Sequence, residues 1–156
     1  ATYENQKALA EGMGSKRGYI GTTKMVSSYA WDTAINFIQI KTPDYGTNSP
    51  QGNYLDTTFS YANVGETEKS QTKGKGEAKI VPTGQTTAVS NIYDMGGNAW
   101  ERTTENTILT SYPISRRGGD YTYNNSERAA GWRNDSNGNH GSSDSFRITL
   151  FCSTEA

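Results

Sequence analysis

Tyr93-Asp94-Met95-Gly96-Gly97-Asn98-Ala99-Trp100-Glu101-Arg102 is the stretch on which the reading of this chain turns. Two later stretches complete a set, Arg116-Arg117-Gly118-Gly119-Asp120-Tyr121 and Ser145-Phe146-Arg147-Ile148-Thr149-Leu150-Phe151. Each has a physical reading. The Gly96-Gly97 and Gly118-Gly119 pairs give backbone freedom where a strand must bend or another chain must come close. Trp100 reads as a central core ring. Arg117 and Arg147 read as partners of Glu101 or Asp94 beneath the loops, while Arg116 and Arg128 read as surface residues. Cys152, at the end of the last apolar run, reads as a small buried hydrophobe. Between the second and third stretches, Tyr121 to Ser143 is rich in Asn, Ser, Gly and Tyr and almost without aliphatic side chains.

Composition sets the outer limits. At 156 residues the chain suits one soluble domain over 1–156 with a single core, and no run of apolar residues approaches the length needed to span a bilayer. Only 32% of residues are hydrophobic, yet ten are Tyr, so the core must lean on rings. A formal charge of -1 offers no basic field, which argues against a nucleic-acid partner. One cysteine cannot report the redox compartment. Ala1 opens directly in a helix-like pattern, as expected of a C-terminal fragment of a longer protein.

Upstream of the decisive stretch, Tyr3, Lys7, Ala8, Leu9 and Ala10 predict a short amphipathic helix that stops at Gly12 and Gly14. Tyr29, Ala30, Ala34, Phe37 and Ile38 recur at helical spacing within Val26 to Ile40, with Ser27 and Ser28 as caps, and predict a second. From Pro43 to Gly84 no period is visible, and the segment is expected to be a long surface loop and the most mobile part of the chain. Every lysine lies at or before Lys79, and the later basic residues are all arginine, suited to bidentate pairing with carboxylates.

The three stretches resemble the signature segments of the formylglycine-generating-enzyme (sulfatase-modifying factor) family, a branch of the C-type-lectin fold. The resemblance rests on Asp94 to Glu101, Arg117-Gly118-Gly119 and Phe146-Arg147, and Trp31-Asp32 is similar to a pair in the family's second helix. Arg102, Asp120 and Ser145 depart from the pattern. The resemblance implies an α+β fold with a short twisted antiparallel sheet, two helices and extensive loops. Oxidases of the family carry a cysteine pair after the paired glycines, and the matching positions here are Tyr123 and Arg128, neither able to replace a thiolate on Cu(I). His140, the single histidine, sits in a Gly/Ser loop without an evident triad or metal partner. No catalytic residue and no required cofactor are expected. Family members hold a structural calcium, which maps here to Asp94 and Glu101 with the carbonyls of Gly97 and Ala99, an all-oxygen set. The alternative is that these carboxylates cap loops or pair with Arg. Sugar binding through calcium of the lectin type is not expected, because the Glu-Pro-Asn type of motif is absent.

The polar interval is the expected binding surface. Tyr121, Tyr123, Asn124, Asn125, Ser126, Asn134, Asp135, Ser136, Asn137, Asn139, His140, Ser142 and Ser143 have the palette of an antibody paratope, Tyr for rigid contact area and Ser, Asn and Gly for adaptable hydrogen bonds. The same interval resembles the variable region of diversity-generating-retroelement proteins. There, randomised adenines turn Asn codons into most residues but never Lys, Gln, Glu, Met or Trp, and between Tyr121 and Ser143 only Glu127 and Trp132 belong to that excluded set. Trp132 and Arg133 are expected to be fixed scaffold between two variable clusters. The resemblance therefore implies a non-catalytic receptor-binding protein of a phage, prophage or bacterial surface whose partner is a protein or glycan on a cell. The alternatives are a catalytically dead module of the same family and an enzyme of that family with unrecognised chemistry.

Overall fold

The computed structural model describes residues 1–85 and 90–152. Its elements run α1 (Tyr3–Lys16), β1 (Thr22–Met25), α2 (Ser28–Gln39), β2 (Phe59–Tyr61), β3 (Gln71–Lys73), β4 (Trp100–Asn106), β5 (Ile114–Arg117), β6 (Arg133–Ser136), β7 (Asp144–Phe146) and β8 (Ile148–Phe151), an α+β architecture. Among the described residues three sheets form: β1 with β8, β2 with β3, and a four-stranded sheet in the order β6-β5-β4-β7. The last is mixed and not purely antiparallel as expected, because β7 lies parallel to β4. Among the described residues no helix is long and apolar enough to cross a membrane.

Helix α1 passes through both glycines expected to stop it. Thr2 caps its start, accepting from the Asn5 N–H, and the inward stripe is Tyr3, Gln6, Ala10 and Gly14, while Leu9 is exposed. Gly14 is a docking point. Its N–H donates to Thr23 Oγ1 at 2.8 Å, and a Cβ there would sit 3.2 Å from the Thr23 side chain. Helix α2 is capped by Ser27, as expected, but buries Ser28, Trp31, Ile35 and Ile38 and leaves Tyr29 and Phe37 outside. The inward stripe is thus rotated from the predicted one. Trp31 draws it inward through an indole N–H donated to the Ala130 carbonyl at 3.0 Å.

The Pro43 to Gly84 segment is structural and not merely a surface loop. It carries the β2–β3 hairpin, whose Phe59 and Tyr61 join Val81 in a small cluster. Tyr45 enters the main core beside Val26, Trp31, Ile35, Ile38, Met95 and Ala130. Tyr54 is fully buried and its hydroxyl donates to the Gly118 carbonyl at 2.9 Å. That carbonyl is presented by a backbone at φ 88°, followed by Gly119 at φ 71°. A Cβ on Gly119 would fall 2.1 Å from the Arg128 carbonyl, so this turn admits no side chain.

Register divides the four-stranded sheet into two faces, since successive side chains alternate. Arg102 pairs with Arg116, Arg116 with Asn134, and Trp100 with Asp144, which places these five residues on one face. Glu101, Ser115, Arg117, Arg133 and Asp135 belong to the other. Helix α2 packs on this second face, with Ser28 Oγ 3.0 Å from Thr103 Oγ1 and Asp32 paired to Arg117. Cys152 follows β8 and is exposed, contrary to its expected burial, because the β1–β8 ribbon leaves Phe151 and Leu150 largely uncovered as well.

Candidate functional site

The face that carries Trp100 is built on charge as much as on apolar area. Arg102 is fully buried, and its Nη2 lies 2.7 Å from Asp144 Oδ2. Its Nη1 donates to Gln6 Oε1 of α1 and to the Ala1 carbonyl, each at 3.3 Å, and Nη2 also donates to the Asn139 carbonyl. Asp144 places its second oxygen 2.9 Å from Arg116 Nη1. Arg116 is therefore a cross-strand tie and not a surface residue. Its guanidinium also lies over the Trp100 ring at 4.7 Å. From Trp100 the stack continues: Tyr123 meets it edge-on at 6.0 Å, and Arg128 lies over Tyr123 at 5.1 Å and over Trp132 at 4.5 Å. Arg128, expected on the surface, is the half-buried filling between two rings. Trp132 is 43% exposed at the end of the stack.

Around this stack the structure gathers part of the predicted binding set. Tyr121, Tyr123 and Asn124 are half-buried and Ser126 is exposed. Asn134 shares the Trp100 face by register. Asn139, His140 and Ser142 are exposed on the loop that returns over that face, with the Asn139 carbonyl taken by Arg102 and the Ser143 carbonyl accepting from the Trp100 N–H at 2.8 Å. Others are placed elsewhere. Asn125 is buried: its Oδ1 accepts from the Ser49 N–H and its Nδ2 donates to Asn48 Oδ1 at 2.6 Å. Ser136 is also buried, its Oγ accepting from the Gly138 N–H. Asp135 points by register to the α2 face, and exposed Asn137 lies past the end of β6, its Oδ1 accepting from the Asn139 N–H. The interval is thus a surface with buried fixings.

Main-chain bonds add to these side-chain fixings. The Tyr121 N–H donates to the Asn98 carbonyl, the Leu55 N–H to the Tyr123 carbonyl, the Gly131 N–H to the Gly46 carbonyl and the Tyr3 N–H to the Gly138 carbonyl. Four distant segments hold one interval.

Asp94, Gly97, Ala99 and Glu101 do converge, lining one cavity of about 210 Å³ together with Ile80 to Thr83 and Ser145. Arg147 reaches Glu101 first. Its Nε and Nη2 donate to the two carboxylate oxygens, each at 2.9 Å, and Nη2 donates to the Asp94 carbonyl at 3.1 Å. Burial pushes the Glu101 carboxyl up, and Arg147 opposes that shift. Asp94 accepts from the Gly84 N–H. Of the two carboxylates assigned to calcium, one is already matched by a guanidinium, so the arrangement fits the ion only if Arg147 is shared or displaced. Among the described residues no group of three or more His, Cys, Asp or Glu is gathered for a metal. Arg147 thus pairs with Glu101 as expected, whereas Arg117 pairs with Asp32 of α2, not with Glu101 or Asp94.

The opposite face holds a constellation that the sequence reading did not find. Asp32 pairs with buried Arg117 through one oxygen and with Arg133 through the other at 3.3 Å, and Arg133 Nε lies 3.1 Å from Glu105 Oε2. Trp31-Asp32 was the available signal, but the strand partners lie far away in sequence.

No family model matches the sequence, and no curated protein does. Among solved structures the chain is similar to CarF, with a TM-score of 0.66 at 13% identity. The match covers 97% of this chain and 66% of CarF, so the chain spans just under two thirds of that protein's length. At this identity the likeness concerns the fold alone.

Proposed function

We propose that this chain is a non-catalytic ligand-binding domain of the C-type-lectin, formylglycine-generating type, and that the Tyr121 to Ser143 interval is its diversified binding surface. The ligand is a protein or glycan on a cell surface. The observation that carries this reading is the way the interval is held: main-chain bonds to Gly46, Leu55, Asn98 and Tyr3 fix its path, while Ser126, Asn137, Asn139, His140 and Ser142 stay exposed. A preorganised loop loses less entropy on binding, and Tyr121 supplies stiff amphipathic contact area. The non-catalytic part has its own support. Tyr123 and Arg128, which match the cysteine pair of the family's oxidases, are stacked on one another at 5.1 Å, with both groups committed to packing.

The test is a combined Tyr121→Ala, Asn137→Ala, Asn139→Ala, His140→Ala protein, assayed for binding to whole cells of candidate hosts and for thermal stability. Binding is expected to vanish while the fold survives. A variant that folds and binds like the parent would refute the assignment. A mutated copy of the coding segment beside a reverse-transcriptase gene would support the diversified character in particular.

A further inference from the structure

The cleft on the α2 face shares only Arg133 with the Tyr121 to Ser143 interval and has a chemistry of its own. Its volume is about 390 Å³, within the range of small-molecule sites, about 300–1,000 Å³. It is lined by Ser27, Ser28, Tyr29 and Asp32 from the start of α2, Thr104 and Glu105 from β4, and Arg133 from β6.

Three features define what it can hold. First, the charges cancel. Asp32 and Glu105 are balanced by Arg133 within the cleft and by Arg117 behind Asp32, so neither an anion nor a cation is favoured. Second, the polar groups are planar, fixed and only partly used. Arg133 holds Asp32 with Nη2 and Glu105 with Nε, and its side chain remains 49% exposed, beside a 45% exposed Asp32. A carboxylate next to a guanidinium offers paired acceptors and donors a few ångströms apart, the spacing that vicinal hydroxyls need. Third, Tyr29 is 88% exposed on this wall, an aromatic side chain that the fold does not bury. An open aromatic face beside fixed hydrogen-bonding planes suits a ring with one C–H-rich face and an equatorial belt of hydroxyls.

From these features we infer that the Tyr29–Asp32–Glu105–Arg133 cleft binds a neutral sugar ring. The ring lies against Tyr29, and adjacent hydroxyls are shared between the Asp32 and Glu105 carboxylates and the Arg133 guanidinium. No metal takes part, since the cleft's own charges are already paired. The site shares only Arg133, a scaffold residue, with the Tyr121 to Ser143 interval, and it opens on the α2 side of the sheet, opposite Trp100.

Two-dimensional NMR titration of the whole chain with free neutral hexoses and N-acetylhexosamines, together with an array of immobilised glycans, tests this. At least one neutral sugar is expected to shift the amides of residues 27–33, 104–105 and 133. Tyr29→Ala and Glu105→Gln should each weaken that sugar about tenfold or more, with chelator and Tyr123→Ala leaving it unchanged. Response to free sugar places recognition in a single ring, whereas response only on the array places it in an extended glycan, and both agree with the assignment. Absence of binding in both formats overturns it, as does preference for a sialic acid or a free amino sugar, or binding indifferent to Tyr29→Ala and Glu105→Gln in variants that keep the parent's spectrum.

Discussion

Asp144→Ala should be among the most damaging single changes in the molecule, although Asp144 is not among the residues proposed to touch a ligand. Its carboxylate is 5% exposed and pairs with two guanidiniums at once, Arg102 at 2.7 Å and Arg116 at 2.9 Å. Arg116 is 22% exposed and can turn toward water, but Arg102 is completely enclosed. Removing the carboxylate therefore strands a buried charge, a loss of about 3–5 kcal/mol. For a chain of this length each kcal/mol corresponds to roughly 2–4 °C, which puts the fall in Tm at roughly 6–20 °C. The same reasoning requires partial rescue. Arg102→Met combined with Asp144→Leu removes the stranded charge, and exchanging a buried pair for apolar groups is often neutral, so the double variant should regain at least about 2 kcal/mol over Asp144→Ala. Thermal and urea melts of the parent and variants provide the comparison. An Asp144→Ala protein that melts with the parent, or a double variant no better than the single one, would refute the buried-charge argument.

Alkali should expose another buried group. Burial pushes the Tyr45 hydroxyl up to about 12 from an ordinary 10.0, so the unfolded chain ionises first and stability falls as pH rises from 10 toward 12. Tyr45→Phe should remove about 3 kcal/mol of that alkaline loss while leaving stability at neutral pH nearly unchanged, as read from urea melts across the range. Trp100→Ala should cost about 3–5 kcal/mol through the cavity it leaves, whereas Asn137→Ala, His140→Ala and Ser142→Ala should each stay within about 0.5 kcal/mol of the parent; melts with the two groups reversed would invert the division between scaffold and surface. Because Arg147 already matches Glu101, chelator is expected to leave Tm unmoved and Arg147→Ala to lower it. A Tm that falls with chelator and recovers only with calcium would assign the cavity to the ion.

Sequence reasoning succeeded where one residue type has one physical use. Trp100 had to be buried, Ser27 is a good helix cap, and Arg147 beside Glu101 is a ready bidentate pair; all three are realised. It failed where burial depends on partners remote in the chain. Gly12 and Gly14 read as the stop of α1, yet the helix runs on and Gly14 makes a close contact because Thr23 comes up against it. Tyr29 and Phe37 carry the helical period of α2, yet Trp31 and Ile35 turn inward. Arg102 looked like a substitution in a motif and proved to be its most enclosed charge, which no local pattern reveals, since Gln6, Asn139 and Asp144 meet it from three separate segments. The candidate surface was legible as composition, but alternation along β6 sends Asp135 away from Asn134. Tyr123, expected to be free for contact, is packed against Trp100 and Arg128.

The main-chain fixing of the polar interval also determines how the surface can change over generations. A loop whose path is held by side chains drifts when those side chains are exchanged. Here amides and carbonyls hold it, and every residue type except proline brings the same amide and carbonyl, so Ser126, Asn139, His140 and Ser142 can be replaced while their neighbours keep their coordinates. The freedom has sharp edges. A Cβ at Gly131 would approach the Gly46 carbonyl oxygen to 2.7 Å, and one at Gly119 would strike the Arg128 carbonyl. Asn125 is tied to Asn48 and to the Ser49 amide. Under the proposed binding role, selection could explore new partners at the open positions without re-solving the folding problem each time, provided that these few anchors stay silent.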